Sequence, residues 1–163
     1  MTIRSLLLAF TFAAAATAAL SQSAPPPYGA PITLEQAKKA MTAAEAEANK
    51  NSWPVVIAIV DSGGQVVMLH RLDNTQLASI DIAKGKATTA NNYRRPSKAL
   101  EDAVAGGGAG LRLLRVDGLM PVEGGVPIVV DGKIVGAIGV SGVQSSQDAQ
   151  VARAGAQALA ATQ

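Results

Sequence analysis

His70 is the only imidazole in the chain, and it stands at the end of an apolar run beside Met68 and Arg71. Imidazole and thioether groups are common axial ligands of heme iron, so this run can offer a metal one donor. A lone histidine carries no spacing pattern, and the same residue reads as a strand-end side chain with no ligand role. Downstream, Lys84, Lys86, Arg94, Arg95 and Lys98 follow one another with no acid between them. Arginine forks pair bidentately with carboxylates, which makes this stretch a candidate basic rim for an anionic ligand. The competing reading is a solvated helix face whose terminal charges complement the helix dipole. Ser97, directly after Pro96, suits the N-cap of a short helix. Glu123 sits beside Gly124 and Gly125, and Asp61, Asp73 and Asp117 add carboxylates, but linear order brings no two of them to catalytic distance.

Several chemistries are excluded. The chain has no cysteine, hence no disulfide, thiolate metal site or cysteine nucleophile. One histidine rules out a multi-histidine metal cage within one subunit. The glycines at Gly106, Gly107 and Gly108 and at Gly124 and Gly125 match neither a P-loop nor a dinucleotide fingerprint. Ser141 lies outside a G-x-S-x-G elbow, and a serine triad would have to use His70. A formal charge of +2 over 163 residues is too near neutral for wholesale nucleic-acid binding.

The positioning elements follow from pattern. Arg4, the apolar run Leu6 to Phe12 and an alanine tract make residues 1–20 a secretory signal peptide, with cleavage within 18–24. The expected product is periplasmic or secreted and keeps no stable membrane anchor. Residues 21–32 form a Pro-rich spacer, expected to be extended and poorly ordered, and 33–163 form a single domain. Composition is 48% hydrophobic but 3% aromatic, so the core must come from Ala, Val, Ile and Leu. Thr33 with Gln36 is a capping box opening a helix with Leu34, Ala37, Met41, Ala44 and Ala48 on one face. Strand-like runs at Trp53 to Val60 and Gln65 to Arg71 flank the turn residues Asp61 to Gly64. Ser79 to Asn91 reads as a helix with Ile80, Ala83, Ala87 and Ala90 on one face, and Ala105 to Gly110 as a loop. Leu111 to Val116 fits a short helix or a strand. Val126 to Val130 and Ile134 to Ser141 flank Asp131-Gly132, the signature of a type I′ hairpin. Ser145 with Asp148 then resembles a capping box for a last helix. Hairpins separated by helices argue for an α+β fold with a mostly antiparallel sheet.

The run PVEGGVPI followed by GKIVGAIGVSG, with Asp148 opening an alanine-rich helix, resembles the GlcG/HbpS family of small heme-binding-type domains and the C-terminal domain of PduO-type proteins. The strand pair from Ile57 to Met68 and the helix AKGKATTA, Ala83 to Ala90, fit the same pattern, so the resemblance covers about Thr33 to Leu159. It implies a profilin-like α/β (α+β) architecture, an antiparallel sheet of about five strands with helices packed on its faces, assembled into homo-oligomers. It further implies a small-molecule ligand, heme or a related tetrapyrrole, bound by an exported protein in heme or iron handling or sensing. The implied pocket lies near Arg95 to Ser97 and the Pro121 to Gly125 loop, with His70, Arg94, Arg95, Ser97, Glu123, Gly124 and Gly125 around the cofactor. His70 and Ser97 are the candidate iron ligands, the serine because a Pro-Thr or Pro-Ser pair lines that pocket in the family. The alternative is a small enzyme or accessory protein acting on an organic acid, which requires Glu123 or Asp148 to converge with a basic residue in a closed pocket.

Overall fold

The computed structural model describes residues 24–160. The expected signal peptide and all but the last position of its cleavage window lie outside these residues.

The Thr33 capping box forms as its spacing predicts: Thr33 Oγ1 accepts from Gln36 N at 3.2 Å, and Gln36 Oε1 accepts from Thr33 N at 3.0 Å. It opens α1 (Leu34–Lys50), which buries Ala37, Ala40, Met41, Ala44 and Ala48. Leu34, assigned to that face, is instead 54% exposed, because it precedes the first turn that meets the core. The helix stops in a Schellman-type closure: Ser52 N donates to Asn49 O, Trp53 N donates to Ala48 O, and Ser52 takes φ 56.

Strands β1 (Val56–Asp61) and β2 (Val66–Arg71) form the first hairpin, whose turn is tightened by Asp61 Oδ1 accepting from Gly63 N and Gln65 N. Next come α2 (Ser79–Tyr93), α3 (Lys98–Ala105) and a 3₁₀ helix at Gly108–Arg115. The 3₁₀ helix settles the open choice for Leu111 to Val116 and takes in part of the expected loop. Strands β3 (Gly125–Val130) and β4 (Lys133–Ser141) are joined through Asp131 at φ 49 and Gly132 at φ 71, the paired positive angles of a type I′ turn. The chain closes with α4 (Ser145–Ala160).

All pairings are antiparallel and the order is β2-β1-β4-β3. The alternation of strand side chains separates two cores. Ile57, Ile59, Ile138 and Val140 face α1 and α4, whereas Val56, Ala58, Val60 and Ala137 face alanines of α2. The sheet thus has four strands among the described residues, where about five were expected. The segment before Thr33 comes near to supplying another: Ile134 N donates to Pro27 O, Gly29 N to Ile134 O and Ile32 N to Val135 O. Prolines lack the N–H a ladder needs, so this strap makes an isolated bridge, Tyr28 to Ile134, and not a strand. From Pro27 onward the spacer is therefore laid along β4, contrary to the expected loose tether.

Close packing of α2 on β4 depends on Gly139. A Cβ there would lie 2.2 Å from Ala83 O and 2.4 Å from Ala87 N, both backbone atoms that cannot yield without moving the helix. We expect Gly139→Ala to cost about 3 kcal/mol, near the upper end for overpacking. Gly106→Ala, whose nearest new neighbour is at 3.4 Å, should barely move the urea midpoint that reads both.

Candidate functional site

Lys86 and Asp148 form a buried ion pair. Lys86 Nζ lies 2.8 Å from Asp148 Oδ2, with side chains 2% exposed on both sides. Lys86 belongs to α2 and Asp148 to the first turn of α4, so the pair joins helices on opposite faces of the sheet. It does so where β3 begins. Gly125 pairs with Gly139, and β4 runs on to Ser141. The lysine passes the sheet at this end: a Cβ on Gly124, at φ 129, would stand 2.8 Å from Lys86 Nζ, and one on Gly125 would stand 2.1 Å from Lys86 O. Burial pushes the Asp148 carboxyl above its ordinary range, opposed by the Lys86 ammonium and by the N–H groups of Val143 and Gly142. The expected Ser145–Asp148 box does not form. Asp148 Oδ1 accepts from Val143 N and Gln147 Oε1 accepts from Gln144 N, leaving Asp148 free to meet the lysine.

Ser97 lies around the same corner and is fully buried. Its hydroxyl donates to Val122 O at 2.7 Å and accepts from Gly125 N at 2.9 Å. It occupies the N-cap position of α3 but makes no capping bond, because the hydroxyl is engaged by the returning loop. Glu101 accepts from Glu123 N, Met120 N donates to Thr89 Oγ1, and Glu123 Oε1 lies 3.9 Å from Arg153 Nη1. Glu123, Gly124, Gly125 and Ser97 are thus brought together, as one tightly tied corner.

Arg94 and Arg95 follow the C-terminal end of α2, just before Pro96 and Ser97. Arg94 closes the helix at φ 51, with its guanidinium 5.8 Å from the Tyr28 ring centroid. The Tyr28 hydroxyl donates to Asn91 O at 2.9 Å, and Arg95 Nε donates to Tyr93 O. Lys98 pairs with Asp102, and Lys84 with Asp81. The cationic run therefore disperses: one member is buried, and two pair with acids one helical turn away.

His70 is separate again. It lies on β2 while Gly125 opens β3, and these are the outer strands of the sheet. Three inter-strand steps put those strands roughly 14 Å apart. One iron cannot meet both His70 and Ser97 of a single chain. His70 Nδ1 lies 2.6 Å from Glu45 Oε1 on α1, with side chains 46% and 28% exposed. A carboxylate only accepts, so Nδ1 carries the proton and Nε2 keeps its lone pair in the neutral ring. One helical turn beyond Glu45 and two residues beyond His70, a hollow of about 370 Å³ is lined by the apolar Trp53, Pro54 and Leu72 and by the polar Asn49, Ser52, Asp73 and Asn74. Glu45 and Trp53 are the residues that sequence reasoning left out. A larger cavity, about 570 Å³ near the β3–β4 turn, is lined by Thr33, Lys39, Val129 and Leu159 and includes none of the sequence-selected residues. Among the described residues no three His, Cys, Asp or Glu side chains converge to hold a metal ion.

The buried pair makes a signed prediction. Lys86→Met leaves the Asp148 carboxylate without its cation and should cost about 3–5 kcal/mol at neutral pH, whereas Lys86→Met with Asp148→Leu should recover most of that loss. Without Lys86 the folded-state value of Asp148 rises further above its unfolded value of about 3.9. The fold then binds a proton the unfolded chain does not, so the Lys86→Met defect should shrink on acidification and grow as pH rises through the folded value. Urea unfolding at neutral and mildly acidic pH reads both effects.

Comparison with known proteins agrees with this architecture. Residues 32–157 match the family described as haem degrading protein HbpS-like. Protein GlcG of Escherichia coli K12 is 42% identical over 110 residues, covering 68% of this chain and 81% of GlcG. The crystal structure of a double mutant of HbpS from Streptomyces reticuli superposes with a TM-score of 0.74 at 33% identity, covering 89% of this chain and 98% of that one. That of a PduOC–heme complex superposes with a TM-score of 0.71 at 28% identity, covering 78% and 94%. A single sheet flanked by α2 on one face and α1 and α4 on the other, matched along nearly the whole described length, makes this chain a member of the HbpS-like family.

Proposed function

We propose that this chain is an exported binding protein that holds heme or a related tetrapyrrole, acting in the handling or sensing of heme or iron. The family match and the resemblance to a heme-bound PduOC domain support the ligand class, and the composition of residues 1–20 supports export. The observation that carries the reading is the His70–Glu45 pair. The donor chemistry fits an iron ligand: an accessible imidazole whose Nδ1 proton is held by a carboxylate, with Nε2 left to bind metal. The adjoining hollow offers Trp53 and Leu72 to a flat apolar ring. Ser97 fits less well, since its hydroxyl is buried and engaged twice within the chain.

The alternative of catalysis on an organic acid has less support. Asp148 does meet a cation, but the pair is sealed from any substrate, and the Glu123–Arg153 pair is loose at 3.9 Å with the arginine 51% exposed.

Hemin titration of the mature chain, from about Ser21, tests the proposal by absorbance and by quenching of Trp53, the only tryptophan. We expect a saturable Soret shift that His70→Ala abolishes and Glu45→Gln weakens about tenfold, the usual effect of losing the group behind a ligating histidine. Ser97→Ala should leave the Soret position unchanged. No saturable shift, or one indifferent to His70→Ala, would remove the assignment.

A further inference from the structure

We propose that the cavity between the start of α1, the β3–β4 turn and the end of α4 is a binding site for a small amphipathic amine, an ammonium head on an aliphatic body. The cavity holds about 570 Å³, within the usual range for a small-molecule pocket. Its wall is of two kinds. Val129, Val130 and Leu159 supply an aliphatic side with no aromatic ring, which suits a saturated chain. Glu35 and Asp131 supply two carboxylates against one cation, Lys39. That balance selects a cationic head. Glu35 itself is exposed and has no ion-pair partner among the described residues.

The walls are set before any ligand arrives. The Thr33–Gln36 capping box fixes the first turn of α1, and Ile32 N, which donates to Val135 O, ties the residue before it to β4. Asp131 at φ 49 and Gly132 at φ 71 fix the opposite rim as a type I′ turn. Leu159, 6% exposed, anchors the end of α4 in the core on that face of the sheet. A pocket already in shape loses less of its contact energy to ordering when a ligand binds. The first turn of a helix favours negative charge, and that alone accounts for an acid at Glu35. It does not account for a second carboxylate across a cavity walled by two valines and a leucine. The hollow beside His70 lies at the far end of the same helix, whose 17 residues span about 25 Å, and no residue lines both. The inference is therefore independent of what binds at His70.

Heteronuclear NMR titration of the mature chain with hexylamine at neutral pH tests it, with hexanoate and hexanol as anionic and neutral counterparts. We expect saturable amide shifts at Gly132 and Leu159 with hexylamine, and none at matched concentration with hexanoate. Hexanol should bind at least about fivefold more weakly than the amine, the upper range for an exposed ion pair. Glu35→Gln with Asp131→Asn should bring the amine down to the level of the alcohol. Both side chains are exposed, and asparagine tolerates the left-handed angle of the turn, so this variant keeps the fold and its far-ultraviolet spectrum. His70→Ala should bind hexylamine as the native chain does. An absence of saturable shifts, shifts confined to residues outside the cavity, hexanoate or hexanol binding as tightly as the amine, or a neutralised variant that binds undiminished would overturn the proposal. Each of these results holds whether or not hemin binds.

Discussion

The passage of one lysine through the edge of the sheet sets terms that much of the molecule meets. For Lys86 to reach Asp148, β3 has to begin with residues that lack side chains at Gly124 and Gly125. That requirement fixes how the chain must return from the 3₁₀ helix, and the return is what Ser97 clasps. The same ammonium ties α2 to α4 although they lie on opposite faces of β4. Burying two charges is expensive, and apolar residues of similar volume often fill such space at no loss. Its structural effect here is to fix, at one point, a helix from each layer and the start of an edge strand.

The fold was readable wherever local chemistry determines conformation. The Thr33–Gln36 box, the Asp131–Gly132 turn and the apolar runs that became β1 and β4 each follow from a few adjacent residues, and each formed. What escaped depends on residues distant in sequence. Lys86 falls in a run that reads either as a basic rim or as a solvated helix face, yet it occupies the stripe of Ala83, Ala87 and Ala90, and a lysine on an apolar stripe is a sign of a buried partner. Asp148 likewise shares a face with Val151, Ala152 and Gly155, a pattern that cap chemistry masked. Ser97 looked like a cap because its position is that of a cap, while its hydroxyl answers to a loop that returns more than twenty residues later. The strand count fell short because prolines turned a would-be strand into a strap.

The candidate residues cluster by type along the chain, and the fold sets His70, on the far edge strand, apart from the rest. Ser97, Glu123, Gly124 and Gly125 make a tied corner; Arg94 and Arg95 end α2 near Tyr28; His70 lies on the far edge strand against Glu45. Only the last offers an accessible donor atom beside a hollow, one of mixed polar and apolar lining, and it depends on α1, a helix from which sequence reasoning drew no functional residue. The tied corner has a mechanical role instead, holding the return from the 3₁₀ helix.

The strap along β4 sets how far the N-terminal end could be shortened without touching the fold. Its first hydrogen-bonded position among the described residues is Pro27. A peptidase cutting anywhere from position 18 to 24 would leave every strap bond to Ile134 and Val135 in place, so sloppy processing would yield products that differ in their ragged ends and not in their folds. A cut a few residues later would uncover the start of β4. The proline run Pro25, Pro26 and Pro27 stands at that boundary, and a bond followed by proline is a poor substrate for most peptidases, so the stretch that breaks up a strand would also resist trimming into the strap.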